Sequence, residues 1–288
     1  MTAIIVKTRA ELDAVRETVT GRIVLVPTMG ALHEGHRSLI RHARSLGEHV
    51  VVSIFVNPLQ FGPGEDLDRY PRTLAADVEM CTDEGVDAIF APSAADVYPR
   101  PLEVTLSAGR MGTIVEGACR PGHFDGVLTV VVKLFNLVRP DVAVFGQKDA
   151  QQLAVIRRMV SDLNLPVVVE ACPTVREDDG LALSSRNRFL SAADRTTALA
   201  LSTALHCGLA AAGQGPAAVL TAAQAVLDEA VKATPPLELD YLVLVDADDF
   251  TEVPLDFAGP AVLAVAGKVG TTHLIDNLPL SITPQELP

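Results

Sequence analysis

The chain has 288 residues, 49% of them hydrophobic, and a formal net charge of −13. That length suits one large or two modest domains around a real core. The acidic balance excludes a general nucleic-acid binder, which needs a basic face, and no apolar run approaches the ~20 residues of a membrane-spanning helix. The N-terminus lacks the charged-then-apolar layout of a signal peptide, so a cytoplasmic protein is expected. Cys81, Cys119, Cys172 and Cys207 form no C-x-x-C pair, which predicts reduced, mostly buried thiols rather than a disulfide framework or zinc ribbon.

Apolar runs rich in valine and isoleucine recur at residues 23–26, 50–56, 86–90, 142–145 and 167–169. Short continuous runs of this kind are how strands buried on both faces of a parallel sheet read. Helical stretches are expected between them at 38–46, 73–84, 126–138 and 150–163. The first puts Leu39, Ile40, Ala43 and Leu46 on one stripe. The second closes on Gly85, and the third stops before Pro140. This alternation implies βαβ units and an α/β fold with a doubly wound, Rossmann-like parallel sheet.

After about residue 175 the texture changes. Ser191-Ala192-Ala193-Asp194 predicts a capping box opening an alanine-rich helix to about residue 211. A Gly-Gln-Gly-Pro break at 213–216 precedes a second helix over 217–233. Short strands follow at 241–245, 261–266 and 272–275, separated by Gly, Pro and Asp turns. The expected division is residues 1–175, a Rossmann-like domain, and residues 176–288, a smaller α+β domain, with a hinge near 173–176. The second part holds six Lys and Arg against fifteen Asp and Glu, yet Arg176, Arg186 and Arg188 cluster at its start.

Pro27-Thr28-Met29-Gly30-Ala31-Leu32-His33-Glu34-Gly35-His36 sits where the first buried strand turns into a helix. Helix N-termini offer unpaired N–H groups and partial positive charge, and histidines added there suit phosphate oxygens. A metal pair is the competing reading. Here the spacing falls one residue short of the zincin H-E-x-x-H, and no third ligand is evident nearby. One capping and one exposed histidine with no shared task is the bland alternative. Gly146-Gln147-Lys148-Asp149 follows another strand and offers Lys148 as a point charge for phosphate, or is an ordinary loop with Asp149 capping the next helix. Leu183-Ser184-Ser185-Arg186-Asn187 reads either as a polar linker or as a mobile loop bringing hydroxyls and a guanidinium onto a polyphosphate. Gln60 follows the strand at 50–56 and offers both a donor and an acceptor for a hydroxy acid. Residues 62–70 have the composition of a flap. Gln152 sits one turn after Asp149, facing the same pocket or solvent. The glycines at 213 and 215 mimic a dinucleotide fingerprint but follow a helix, the wrong context.

Taken together, H-x-G-H after the first strand and a Ser-Ser-Arg loop late in the sheet domain resemble the HIGH and KMSKS signatures of the nucleotidylyltransferase and class I aminoacyl-tRNA synthetase superfamily. With Phe55-Val56-Asn57-Pro58-Leu59-Gln60-Phe61 and Gly146-Gln147-Lys148-Asp149-Ala150-Gln151-Gln152-Leu153 added, the chain resembles the pantothenate synthetase (pantoate–β-alanine ligase) family from its N-terminus to about Asn277. The resemblance implies a nucleotidylyltransferase-type sheet and a cytosolic homodimer. The implied reaction has two steps, pantoate and ATP to pantoyl adenylate, then β-alanine to pantothenate and AMP, with magnesium accompanying ATP. It implies an ATP site of Met29, Gly30, Ala31, Leu32, His33, Glu34, Gly35 and His36, of Gly146, Gln147, Lys148 and Asp149, and of Val175, Leu183, Ser184, Ser185 and Arg186. Within that set His33, His36, Lys148, Ser184, Ser185 and Arg186 would meet the phosphates, with His36 the family's proton donor. Gln60 and Gln152 would hold pantoate, Gln60 would also meet β-alanine, and Arg120 would reach the same pocket. Asp77 stands where some members have two acidic residues, the place for any protein-held magnesium. Gln147 replaces a common Glu and Leu183 a common Met, neither at a position expected to touch the chemistry.

Overall fold

The computed structural model describes residues 3–63, 65 and 67–283. Six strands form one all-parallel sheet in the order β1-β4-β3-β2-β5-β6. They are β1 (Ile4–Val6), β2 (Ile23–Thr28), β3 (His49–Ile54), β4 (Ala88–Phe90), β5 (Val142–Gly146) and β6 (Val168–Cys172). The helices of this part are α1 (Arg9–Thr18), α2 (Glu34–Arg44), α3 (Leu74–Asp83), two short turns α4 (Ala94–Val97) and α5 (Glu116–Cys119), α6 (His123–Val138) and α7 (Ala150–Asp162). Central β2 buries every residue except half-buried Pro27, which is why its sequence shows no alternation. From β2 the sheet grows through β3 on one side and β5 on the other. Loops diverge at such a reversal and leave a crevice beyond the strands' carboxyl ends.

The remaining elements are α8 (Ala192–Ala210), α9 (Pro216–Ala230) and an antiparallel sheet of β7 (Leu237–Asp246), β8 (Gly259–Val269) and β9 (Thr272–Ile282), with β8 in the middle. Leu201, Leu205, Val219 and Leu227 of the helices pack with Leu244, Leu263 and Val265 of the sheet into one apolar cluster. The expected capping box is present, with Ser191 and Asp194 exchanging bonds at the start of α8. Contacts divide the chain into two units. The first runs to Gly146 and resumes over Val155–Pro173; the second takes Gln147–Ala154 and everything from Thr174.

Several elements differ from the sequence expectation for identifiable reasons. The hydrophobic pattern does not mark β1, a three-residue edge strand with Ile4 and Ile5 exposed. It also misses α1, which buries only Leu12 and depends on the Thr8–Glu11 capping box. Helix α2 begins at Glu34, ahead of its apolar stripe, because His33 caps it. Strands β8 and β9 extend through Pro260 and Pro279, which read as breakers. Pro279 lies on an edge strand, a position that tolerates a missing N–H, and Pro260 is the second residue of β8, next to its end. Of the four thiols, Cys81 and Cys172 are buried, whereas Cys119 is exposed and Cys207 half-buried.

One helix approaches the sheet's carboxyl edge closely. Gly126 of α6 faces the turn at residues 58–60, and a Cβ there would strike the Leu59 carbonyl and crowd the Gln60 nitrogen. Both obstacles are backbone, so neither can rotate away. Gly126→Ala should therefore cost about 1–3 kcal/mol in denaturant melts; an unchanged midpoint would show that this contact has slack.

Candidate functional site

At the end of β2 the chain makes a left-handed turn. Gly30 has φ +82° and Ala31 φ +50°. The Thr28 hydroxyl donates to the Ser53 carbonyl (2.7 Å) and accepts the Gly30 N–H (3.2 Å), tying the turn to β3. Beneath it lies Asp77 of α3, only 2% exposed. Its Oδ2 accepts the Ala31 N–H (3.1 Å), and its Oδ1 accepts the Leu32 N–H (2.9 Å) and the Thr73 hydroxyl (3.1 Å). A Cβ on Gly30 would sit 3.0 Å from Oδ2, so glycine is needed for space as well as for dihedral angle. A left-handed alanine costs roughly 1–2 kcal/mol; charge-assisted bonds to a buried carboxylate offset it. Burial, with help from the Asp77 charge, pushes the neighbouring Cys81 thiol up to about 12.

The turn delivers His33 to the N-cap of α2. Its Nδ1 accepts the Gly35 N–H (3.2 Å), and its own N–H is accepted by Nδ1 of His36 (3.3 Å). This is a capping box with imidazoles in place of the usual hydroxyl and carboxylate. The two rings lie 4.2 Å apart, tilted by 52°. With Nδ1 an acceptor in both, each neutral ring carries its proton on Nε2 and is a donor there. Glu34 in the same first turn is exposed and pairs with Arg41 (2.9 Å) and Arg37 (3.4 Å).

The loop after β3 leaves the same edge of the sheet, since Thr28 registers with Ile54. Asn57 and Gln60 are buried there. Asn57 Nδ2 donates to Gln60 Oε1 (3.0 Å) and to the Gly126 carbonyl (3.1 Å), while its Oδ1 accepts the Tyr98 hydroxyl (2.8 Å). The Gln60 amide is thereby oriented by its acceptor end. Arg120 lies against the Gln60 carbonyl (Nη2, 3.2 Å) and grips Glu65 with Nε (3.0 Å) and Nη2 (2.6 Å). His123 Nδ1 donates to the same carbonyl (2.8 Å), so its Nε2 accepts from Arg120 (3.2 Å). Burial raises the Glu65 carboxyl, but its bonds to Arg120 and that charge outweigh this and leave it below the ordinary range. Arg120 thus meets Gln60 at its backbone carbonyl, with its guanidinium already engaged by Glu65.

Gly146 ends the first stretch of the first unit, and the other expected residues belong to the second. Lys148 is half-buried beyond β5, and Gln152 is half-buried in the first turn of α7. The Asp149 carbonyl accepts the Leu153 N–H (2.9 Å), the first helical bond of α7. Val175 and Leu183 meet directly, the Leu183 N–H donating to the Val175 carbonyl (2.9 Å). That pairing closes a narrow hairpin, with Arg176 bridged to Ala182, which feeds Ser184, Ser185 and Arg186. Ser184 Oγ accepts the Arg186 N–H (3.2 Å) and opens the 3₁₀ turn Ser185–Phe189. Among the described residues no group of three or more His, Cys, Asp or Glu is placed to share a metal ion, and no helix is long and apolar enough to cross a membrane.

Side-chain roles for Asn57, Tyr98 and His123 were not assigned from the sequence. Only Asn57 carried a signal, its place at the carboxyl end of a strand.

A family model described as pantoate-beta-alanine ligase matches residues 4–279. The chain belongs to the pantoate–β-alanine ligase family. A relative from Thermobifida fusca named pantothenate synthetase is 61% identical over 287 residues, covering 98% of this chain and 97% of its own. The pantothenate synthetase structure from Thermus thermophilus superposes with a TM-score of 0.89 at 45% identity, covering 98% of this chain and 100% of that one. The pantoate-beta-alanine ligase of Francisella tularensis, determined in complex with beta-gamma ATP and beta-alanine, gives 0.78 at 32% identity over 96% and 97% of the two chains. In this ligase-family member the six-stranded parallel sheet and the separate three-stranded sheet agree with the α/β and α+β parts expected from the sequence.

The cap that His33 supplies and its Nε2 donor can be separated by substitution. His33→Asn keeps an N-cap acceptor, so its thermal midpoint should stay close to wild type, whereas His33→Ala should lose about 1 kcal/mol of stability. Both remove the Nε2 donor and should slow adenylate formation alike. Wild-type rates for His33→Asn would remove His33 from the phosphate contacts.

Proposed function

We propose that this chain joins pantoate to β-alanine at the expense of ATP, through a pantoyl adenylate. The β2–α2 junction carries this reading most directly, with its two Nε2–H imidazoles at a helix N-terminus. A pantoate carboxylate oxygen attacks the α-phosphorus, and the bond to the pyrophosphate oxygen breaks. Two anions approach each other and charge builds on the leaving group, so the step needs donors and cations rather than a nucleophilic side chain. His33 and His36 donate to phosphate oxygens, His36 toward the leaving group. Lys148, Ser184, Ser185 and Arg186 supply the remaining charge and hydroxyl donors, with Lys148 at the transferring phosphorus. Residues 29–36 and 146–149, with Val175 and Leu183, line the nucleotide.

Gln60, its acceptor end held by Asn57, offers its N–H₂ to the pantoate carboxylate or hydroxyl, and Gln152 takes the other side. Arg120 fixes the Gln60 backbone. In the second step the amine nitrogen of β-alanine attacks the acyl carbon, AMP leaves with the former carboxylate oxygen, and the amine loses a proton. Asp77 suits the task of holding a turn rather than coordinating an ion, because it is buried and already accepts three donors. Magnesium in this reading arrives with ATP, its shell made of phosphate oxygens and water. The same reading makes the protein a cytoplasmic homodimer.

Incubation with ATP, pantoate and β-alanine should yield one AMP per pantothenate. Omission of β-alanine should leave pyrophosphate exchange intact and stop AMP release. AMP release indifferent to β-alanine would mark a plain nucleotidylyltransferase instead. Lys148→Ala should cut adenylate formation by ~10²-fold or more, the effect of removing one group that stabilises developing charge. Near-normal turnover would withdraw that role.

A further inference from the structure

Strand β9 carries two buried polar residues in succession, Asp276 and Asn277, each 4% exposed. Neither belongs to the chemistry described above. Asn277 Nδ2 donates to the carbonyls of Gln147 (3.0 Å) and Lys148 (2.7 Å). Its own N–H is accepted by Asp276 Oδ1 (2.7 Å). Asp276 is in turn gripped by Arg176, Nη1 to Oδ2 at 2.6 Å and Nη2 to Oδ1 at 3.0 Å. The same guanidinium donates to the Gly180 carbonyl (3.1 Å) and the Asn277 carbonyl (3.4 Å). All these residues lie in the second unit.

The two ends of this chain of bonds have one thing in common. One end is the backbone of Lys148. The other is the hairpin of Arg176, Gly180 and Ala182 that leads into Ser184, Ser185 and Arg186. Neither segment is held by a helix or sheet of its own at these points. A buried amide that spends both donor protons on two adjacent carbonyls fixes their peptide planes, and losing it frees both.

We propose that Asp276 and Asn277 are positioning residues which fasten the Lys148 segment and the Ser-Ser-Arg hairpin to one strand, so that both move as a single piece. Arg176 is the clamp that keeps the Asp276 carboxylate in place. The inference rests on the phosphate role of Lys148 proposed above. Lys148 contributes to adenylate formation only while its backbone is held, because displacement of a charge-stabilising group by about 1 Å can cost on the order of 10²-fold in rate.

A double-mutant cycle on adenylate formation, read by pyrophosphate exchange in the full chain, tests it. Asn277→Ala should lower kcat about 10-fold or more, with a smaller change in KM for ATP. In the Lys148→Ala background the same change should cost less than about 3-fold, since the group it positions is gone. Asn277→Ser, which keeps one donor, should fall between wild type and alanine, and replaces the alanine variant in the cycle if that one does not fold. Equal fold-losses in both backgrounds would reduce Asn277 to a general structural residue and overturn the inference while leaving the functional reading intact. Near-normal exchange in Lys148→Ala alone would overturn both.

Discussion

Two backbone amides resting on one buried carboxylate set the geometry at the edge of the parallel sheet. Asp77 holds the N–H groups of Ala31 and Leu32 and so stabilises a left-handed turn that alanine would otherwise avoid. Everything after the turn depends on it. His33 becomes a helix cap, His36 closes the reciprocal bond, and both imidazoles are locked into the tautomer that donates from Nε2. Were the turn right-handed, α2 would start elsewhere and the histidines would lose their common orientation.

An acidic protein that handles anionic substrates must keep its carboxylates away from them. Here many are spent on arginines. Glu84 takes Arg37 and Arg41, Glu65 takes Arg120, Asp276 takes Arg176, and Glu177 with Asp179 takes Arg195. Hydrogen bonds from Arg41 and Arg37 draw the Glu84 carboxyl down against the opposing effect of burial. Arg176, one of three cations that cluster in the sequence, is one of these partners. Its charge is used inside the fold.

The sheet was legible because buried parallel strands must be apolar throughout, and residues 23–26 and 142–145 announce themselves. The H-x-G-H segment was legible as a strand–helix junction because an apolar run precedes it and an amphipathic one follows, which is where β2 ends and α2 begins. Helix α2's true start was not, since a glycine at its second position and an imidazole cap break the propensity rules. The holding roles of Asp77, Asn57 and Asn277 were hidden for a different reason. Each reaches backbone groups 45 to 130 positions away in sequence, or a side chain fixed by another helix, and no local pattern encodes such partners. Arg120 shows the middle case: its neighbourhood was expected, but its engagement with Glu65 and a carbonyl follows only from tertiary structure.

The proposed chemistry reduces to one bond, between a substrate carboxylate oxygen and the α-phosphorus of ATP, made without any covalent link to the protein. Pantoate labelled with oxygen-18 in its carboxylate, turned over to completion with ATP and β-alanine, reports on that bond by mass spectrometry. The account predicts AMP bearing one labelled oxygen and pantothenate retaining the other. Label recovered in inorganic phosphate with ADP released would mean attack at the γ-phosphorus and would contradict it.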